Sequence, residues 1–203
     1  MRKLSILMLS AVLIAAFGGV AGVRADDNGS NSSGTTACTT TGQPGGGDNG
    51  GAGDDNGGGK SARAARDDNG TSGDDDVRGS SANDVVHGQQ GDDQLDGKSG
   101  DDDLCGDEGD DHLNGGQGDD DLEGGPGNDY LAGGAGADTL IGNTGSDHLT
   151  GGSGRDTLEG DAGNDIINAR DGRKDVVTCG SGSDTVKADK SDVVSRDCEH
   201  VSR

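Results

Sequence analysis

The chain has 203 residues, 43 of them glycine, with no Trp, one Tyr and one Phe, and 39 acidic against 16 basic residues give a net charge of −23. An ordinary globular enzyme is excluded, because such a domain is roughly half apolar and about 7% glycine. Nucleic acid is excluded as a partner, because its phosphates call for Lys and Arg. Apolar burial alone does not offset the entropy of ordering such a backbone, so the expected partners are cations.

Residues 1–25 read as a secretory signal peptide. Arg2 and Lys3 form a basic start, Leu4 to Val20 are nearly all apolar or small, and Val23-Arg24-Ala25 gives a small-x-small site before Asp26, with cleavage expected after Ala25. Gly18, Gly19 and Gly22 thin the stretch and make it marginal as a membrane span. No later stretch is apolar enough to cross a bilayer, so the mature chain is expected to be secreted, with no membrane span. In an oxidising compartment Cys38, Cys105, Cys179 and Cys198 become candidates for disulfides.

Residues 26–69 are Gly, Asp, Asn, Ser and Thr with almost nothing to bury, and Asp-Asn-Gly recurs there without fixed spacing. This segment reads as a disordered linker.

A repeat begins at Gly70. Eleven nonapeptides run without a slip to Asn168, with Gly always at the first place and Asp always at the sixth. The fourth place is Gly except at Ala82. The sixth-place residues are Asp75, Asp84, Asp93, Asp102, Asp111, Asp120, Asp129, Asp138, Asp147, Asp156 and Asp165. The eighth place is always aliphatic.

Glycines at places one and four permit positive φ and a close backbone approach, so the first six residues read as a turn. Places seven to nine read as a short strand whose middle side chain points inward. Two nonapeptides then make one coil of 18 residues with a strand on each side. The predicted core is two ladders, Val77, Leu95, Leu113, Leu131, Leu149 and Ile167 on one sheet and Val86, Leu104, Leu122, Leu140 and Leu158 on the other. The predicted fold is all-β, a parallel β-roll, or β-solenoid, of nonapeptide repeats behind a disordered N-terminal segment.

So thin a core leaves aspartates of successive coils about 4.8 Å apart and repelling one another. A hard divalent ion resolves this, since Ca²⁺ accepts six to eight carboxylate and carbonyl oxygens in adaptable geometry. Mg²⁺ demands a stricter octahedron, and zinc calls for His or thiolate.

The unit Gly124-Gly125-Pro126-Gly127-Asn128-Asp129-Tyr130-Leu131-Ala132 fits GGxGxDxUx, with U aliphatic, at every defined place, as do the units beginning at Gly115, Gly133 and Gly151. In this the chain, from Gly70 to about Lys187, resembles the RTX-type (hemolysin-type) calcium-binding nonapeptide repeat proteins of secreted bacterial origin. The resemblance implies multiple Ca²⁺ ions held between a turn and the turn one coil later, by carbonyls of the Gly-rich half and by both sixth-place aspartates. Asp75 then pairs with Asp93, Asp84 with Asp102, and so on. Thr71, Ser80, Gln89, Lys98 and Asp107 replace the second glycine in the early units, which implies weaker sites there. The N-terminal signal peptide differs from the C-terminal export signal usual in the secreted toxins and proteases.

After Asn168 the pattern frays. Ala169 to Thr178 carries one extra residue around Asp175 and Val177, Cys179 to Lys187 restores the nine with Asp184 and Val186, and Asp192, Val194 and Val201 imitate it without glycine. Asp175 and Asp184 join the expected metal ligands, residues 70–187 the roll, and residues 188–203 a C-terminal cap. This tail resembles the ends of many secreted calcium-binding repeat proteins, which implies a Cys179–Cys198 disulfide.

There is no HExxH and no GxSxG, and place seven never holds the Gly of a G-x-G-x-x-G loop, so no catalysis is expected. His112 and His148 share a column two coils apart, too far to share a metal, and read as solvated; His87 and His200 have no partner at ligand spacing. Place-nine Cys105 reads as outward, free to pair with Cys38 or with a second molecule. Outward Thr residues form no regular grid of the kind that binds ice. The function these readings support is a secreted, non-catalytic calcium-binding structural module that folds on binding Ca²⁺. The alternative is a Ca²⁺-dependent cell-surface adhesion or extracellular-matrix protein with an unidentified carbohydrate or protein partner.

Overall fold

The computed structural model describes Cys38 and residues 67–203. The expected signal peptide, and the expected linker apart from Cys38 and Asp67–Asn69, lie outside the described residues. Between Asp67 and Arg203 the chain winds as a parallel β-solenoid, with every strand paired in parallel to the strand one coil away. No helix occurs among the described residues, so none is long and apolar enough to cross a membrane.

Two sheets face each other. One runs through Asp67–Asn69, Val85–Gln90, Asp103–Glu108, Asp121–Pro126, Thr139–Thr144, Thr157–Glu159, Val176–Thr178 and Val193–Val194, with Ala162–Gly163 and Ser181–Gly182 attached beside this path. The other runs through Asp76–Arg78, Gln94–Ser99, His112–Gln117, Tyr130–Gly136, His148–Gly154, Ile166–Ala169, Thr185–Ala188 and His200–Ser202. The register is the 18-residue step of the repeat, as in Leu95↔Leu113, Leu113↔Leu131 and Leu104↔Leu122. It lengthens by one across the inserted residue, at Leu158↔Val177 and Ile167↔Val186.

The place-eight side chains face inward as expected. Leu95, Leu104, Leu113, Leu131, Leu140 and Leu158 are fully buried, and Val77 and Val194 at the two ends are partly buried against the same cluster. Period-two alternation produces this, since each aliphatic residue stands between two outward neighbours.

The strands are longer than the repeat suggested. After place nine the chain bends at the place-one glycine and pairs again at places two and three, as in Lys98↔Gly116 and Ser99↔Gln117, so the turn shrinks to places four to six. Positive φ falls at place four, as expected, and at place two rather than place one. Gln89, Lys98, Asp107, Asn143 and Asp161, all at place two, have φ between 68° and 81°. Place one needs glycine for a different reason. A Cβ on Gly79 would lie 2.7 Å from the Gly97 carbonyl oxygen and 2.9 Å from Asp84 Oδ2.

Two disulfides are present. Cys179 and Cys198 are joined, with Cα atoms 5.2 Å apart, and Cys38 is bonded to Cys105 at a Cα separation of 5.7 Å. Cys105 is therefore not the outward thiol its place suggested; it is fully buried. On the opposite sheet His112, Tyr130 and His148 form an exposed stack, with ring centroids 4.6 Å and 6.1 Å apart. His87, read as having no partner at ligand spacing, lies 3.2 Å from Oδ2 of the place-two Asp107 one coil on.

Candidate metal centres

The place-six aspartates line both edges of the roll, where one sheet turns into the other. Asp84 through Asp184 are all buried at 2% exposure or less. Each position supplies its backbone N–H to the carboxylate one coil on. Asp93 N–H donates to Asp111 Oδ1 at 2.8 Å, Asp111 N–H to Asp129 Oδ1 at 2.8 Å, and Asp129 N–H to Asp147 Oδ1 at 2.9 Å. The other edge repeats this through Asp84, Asp102, Asp120, Asp138 and Asp156 to Asp175. Oδ1 of each aspartate is thereby committed to holding two coils together.

The second oxygen is not so committed. From Asp93 to Asp184, Oδ2 of Asp93, Asp102, Asp111, Asp120, Asp129, Asp138, Asp147, Asp156, Asp165, Asp175 and Asp184 is buried without a hydrogen-bond partner. Buried polar atoms are nearly always paired, so an unbroken series of this kind points to a ligand. From Asp93 to Asp165 each Oδ2 faces the place-one glycine of its own unit, Gly88 for Asp93 through Gly160 for Asp165, several of them beside a carbonyl of the next coil. The units of Asp175 and Asp184 begin with Ala169 and Cys179 instead. A Cβ on Gly142 would lie 2.5 Å from Asp147 Oδ2 and 2.9 Å from the Gly160 carbonyl oxygen. The cradle is built of oxygen alone, and glycine keeps it open.

Electrostatics point the same way. Burial, reinforced by neighbouring carboxylates, lifts Asp129 and Asp138 from the ordinary 3.8 to about 7, against the opposing effect of the N–H bond from the preceding coil. The same causes lift Asp102, Asp111, Asp120, Asp165 and Asp175 to about 6. Asp93, Asp147 and Asp156 are raised as well, chiefly by burial. A cation at each cradle would restore the ionised form.

The ends of the series are closed by the chain itself. Oδ2 of Asp75 accepts Thr71 N–H at 2.6 Å, and Oδ2 of Asp84 accepts Ser80 N–H at 2.6 Å. The place-one carbonyls of their own units are also engaged, Gly70 O by the Gln89 amide and Gly79 O by Lys98 Nζ at 2.7 Å. At the far end Asp192 Oδ1 accepts Asp175 N–H at 3.2 Å while its Oδ2 accepts Asp189 N–H, and Glu199 takes the aspartate's part by accepting Asp184 N–H at 3.0 Å. Sequence reasoning missed Glu199, whose only signal is its position one residue before the strand His200–Ser202.

A second ladder runs outside the first in the opposite direction. Place-five carboxylates and amides accept N–H groups from the following coil, as in Asp110 N–H to Asp92 Oδ1 at 3.0 Å and Asp119 N–H to Asp101 Oδ1 at 3.0 Å. Among the described residues no three His, Cys, Asp or Glu side chains converge on one point. The acidic donors are strung one per turn, so any ion must complete its shell with backbone carbonyls, which suits Ca²⁺.

No curated protein matches the chain. The family model for the RTX calcium-binding nonapeptide repeat matches residues 69–104, 106–140 and 141–173, just over half of the chain. With its nonapeptide register, its parallel β-roll and its oxygen-lined cradles, the chain belongs to the RTX calcium-binding nonapeptide repeat family, whose repeats bind Ca²⁺.

Proposed function

We propose that this chain is a secreted, non-catalytic structural module whose roll folds as Ca²⁺ enters two files of sites, one along each edge. The observation that supports it is the series of buried, donor-less Oδ2 atoms from Asp93 to Asp184, those from Asp93 to Asp165 each facing a place-one glycine. In this reading each ion lies between successive turns and draws on sixth-place aspartates of both, with backbone carbonyls completing the shell. Asp93 to Asp184 form the files. Asp75 and Asp84, whose Oδ2 atoms already accept main-chain N–H groups, serve as closing positions instead.

The domain order is then a signal peptide at 1–25, a linker at 26–69, the ion-binding roll at 70–187 and a cap at 188–203. Secretion draws support from the sequence of residues 1–25 and from the two disulfides, since such bonds persist outside the cytoplasm. A catalytic role is disfavoured because the acidic side chains recur alike along both edges, with nothing to single out one pair.

Isothermal titration of the full secreted chain tests the reading. Several Ca²⁺ ions per chain are expected, with affinity of about 10⁻⁴ to 10⁻³ M as in extracellular modules, and with much weaker uptake of Mg²⁺. Absence of Ca²⁺ binding at millimolar concentration overturns it.

A further inference from the structure

The roll is electrically polar along its axis. Between Gly70 and Gly127 the sequence carries eighteen acidic residues against two basic ones, Arg78 and Lys98. From Asn168 to Arg203 acidic and basic residues number seven each. The acids of that last stretch are partly withdrawn, with Asp175, Asp184 and Asp192 buried. Its cations are not, since Arg170, Arg173, Lys174, Lys187, Lys190 and Arg196 are all exposed. The ion pairs among the described residues are Arg78–Asp76 and His87–Asp107, and neither involves this basic end.

One edge shows the gradient residue by residue. Place five there reads Asn83, Asp101, Asp119, Ala137 and Arg155, and Lys174 holds the corresponding place before Asp175. The first side chains accept N–H groups in register from the next coil, so this is one physical column whose sign reverses along the axis.

The basic end also carries open strand edges. Val193–Val194 and His200–Ser202 are the last strands of the two sheets, and Val193 and Val201 are 49% and 39% exposed. Asp67–Asn69 and Asp76–Arg78 are the first strands at the acidic end. An unpaired edge is a template for a further strand, and charge of opposite sign at the opposite end selects what supplies it.

We propose that the basic C-terminal end docks on the acidic N-terminal coils of a second copy of this chain, joining folded rolls head to tail. Such a contact is heterologous and does not close on itself, so it propagates into rods. Its outward carboxylates are distinct from the buried place-six aspartates. The proposal therefore requires the folded roll but no particular assignment of ion sites.

Sedimentation velocity of the full chain in saturating Ca²⁺ tests it, over a concentration series at low and at high salt. The expected result is elongated species whose mass grows with concentration at low salt and returns to monomer at high salt. The triple reversal Arg173→Glu, Lys174→Glu, Lys190→Glu is expected to weaken association about tenfold or more while leaving the β spectrum intact. Mixing it with Asp76→Lys, Glu108→Lys, Asp121→Lys protein is expected to restore mixed species. Monomers at every concentration, or association indifferent to salt and to the reversals, overturn the proposal. So does a monomer that sediments with phosphatidylglycerol vesicles and loses this under the triple reversal, which would assign the basic end to an anionic surface.

Discussion

The backbone N–H of Asp111 donates to Oδ1 of Asp129 at 2.8 Å, while Oδ2 of Asp129 is buried without a donor. One carboxylate thus does two jobs, with one oxygen fixing the register between coils and the other facing the cradle. Asp129→Asn separates them, because the amide keeps an acceptor for the Asp111 N–H but removes the charge. Its Ca²⁺ midpoint is expected to rise several-fold. Asp76→Asn alters only an exposed carboxylate that pairs with Arg78, and its midpoint is expected to stay at the wild-type value. Equal midpoints in a circular-dichroism titration would contradict the division of labour.

The two ends of each file are predicted to behave differently from its middle. Asp84 Oδ2 already accepts the Ser80 N–H, so Asp84→Asn is expected to shift the Ca²⁺ midpoint less than Asp102→Asn and to leave the number of bound ions unchanged. Loss of the same number of ions in both variants, by equilibrium dialysis, would extend the ion files to the first coil.

The raised carboxyls give pH effects of opposite sign with and without calcium. A pKa lifted from 3.8 to about 7 at Asp129 and Asp138 means that protonation favours the ion-free roll. That stability is fully present below pH 3.8 and is lost as the pH climbs through 6 to 7. In chelator, acidification is therefore expected to induce β structure. With calcium, protons compete for the same oxygens, and the Ca²⁺ midpoint is expected to rise as pH falls from 7 toward 5. A midpoint unchanged over that interval would contradict the placement of these carboxylates at the ion.

Gly142→Ala probes the cradle by filling it. The added methyl would sit 2.5 Å from Asp147 Oδ2 and 2.9 Å from the Gly160 carbonyl oxygen. Fewer bound ions and a lower melting temperature in Ca²⁺ are expected. A variant that binds the full complement of ions would show that the glycine serves some other need.

Reduction of the Cys179–Cys198 bond is expected to loosen the roll from its C-terminal end. The bond spans 19 residues, and closing a loop of about that size contributes about 3 kcal/mol. In hydrogen exchange, Val193–Val194 and His200–Ser202 are expected to lose protection before Leu113 or Leu131 does. Uniform loss along the roll would contradict end-first fraying.

Much of this was legible because the repeat carries its own geometry. An aliphatic residue every nine places, on alternate sides of a coil, assigns Leu113 and Leu122 to opposite sheets without reference to any other contact. The sixth-place aspartates were legible for the same reason. The left-handed backbone at place two was not, since Gln89, Lys98 and Asp107 conceal a position that glycine marks in later units. The Cys38–Cys105 bond joins the array to a residue outside it, so no periodicity could select it over the alternatives. Glu199 reaches the aspartate's place from a coil shortened to 15 residues, Val186↔Val201, where counting in nines no longer works.

The central claim is that calcium supplies the folding energy that a core of two aliphatic ladders lacks. Far-UV circular dichroism of the full chain, titrated with Ca²⁺ from excess chelator at neutral pH, tests it most directly. The account predicts a largely unfolded spectrum in chelator and a cooperative rise of β structure, with a midpoint of about 10⁻⁴ to 10⁻³ M and little response to Mg²⁺. A well-formed β spectrum in excess chelator at neutral pH, unchanged by added Ca²⁺, would contradict it.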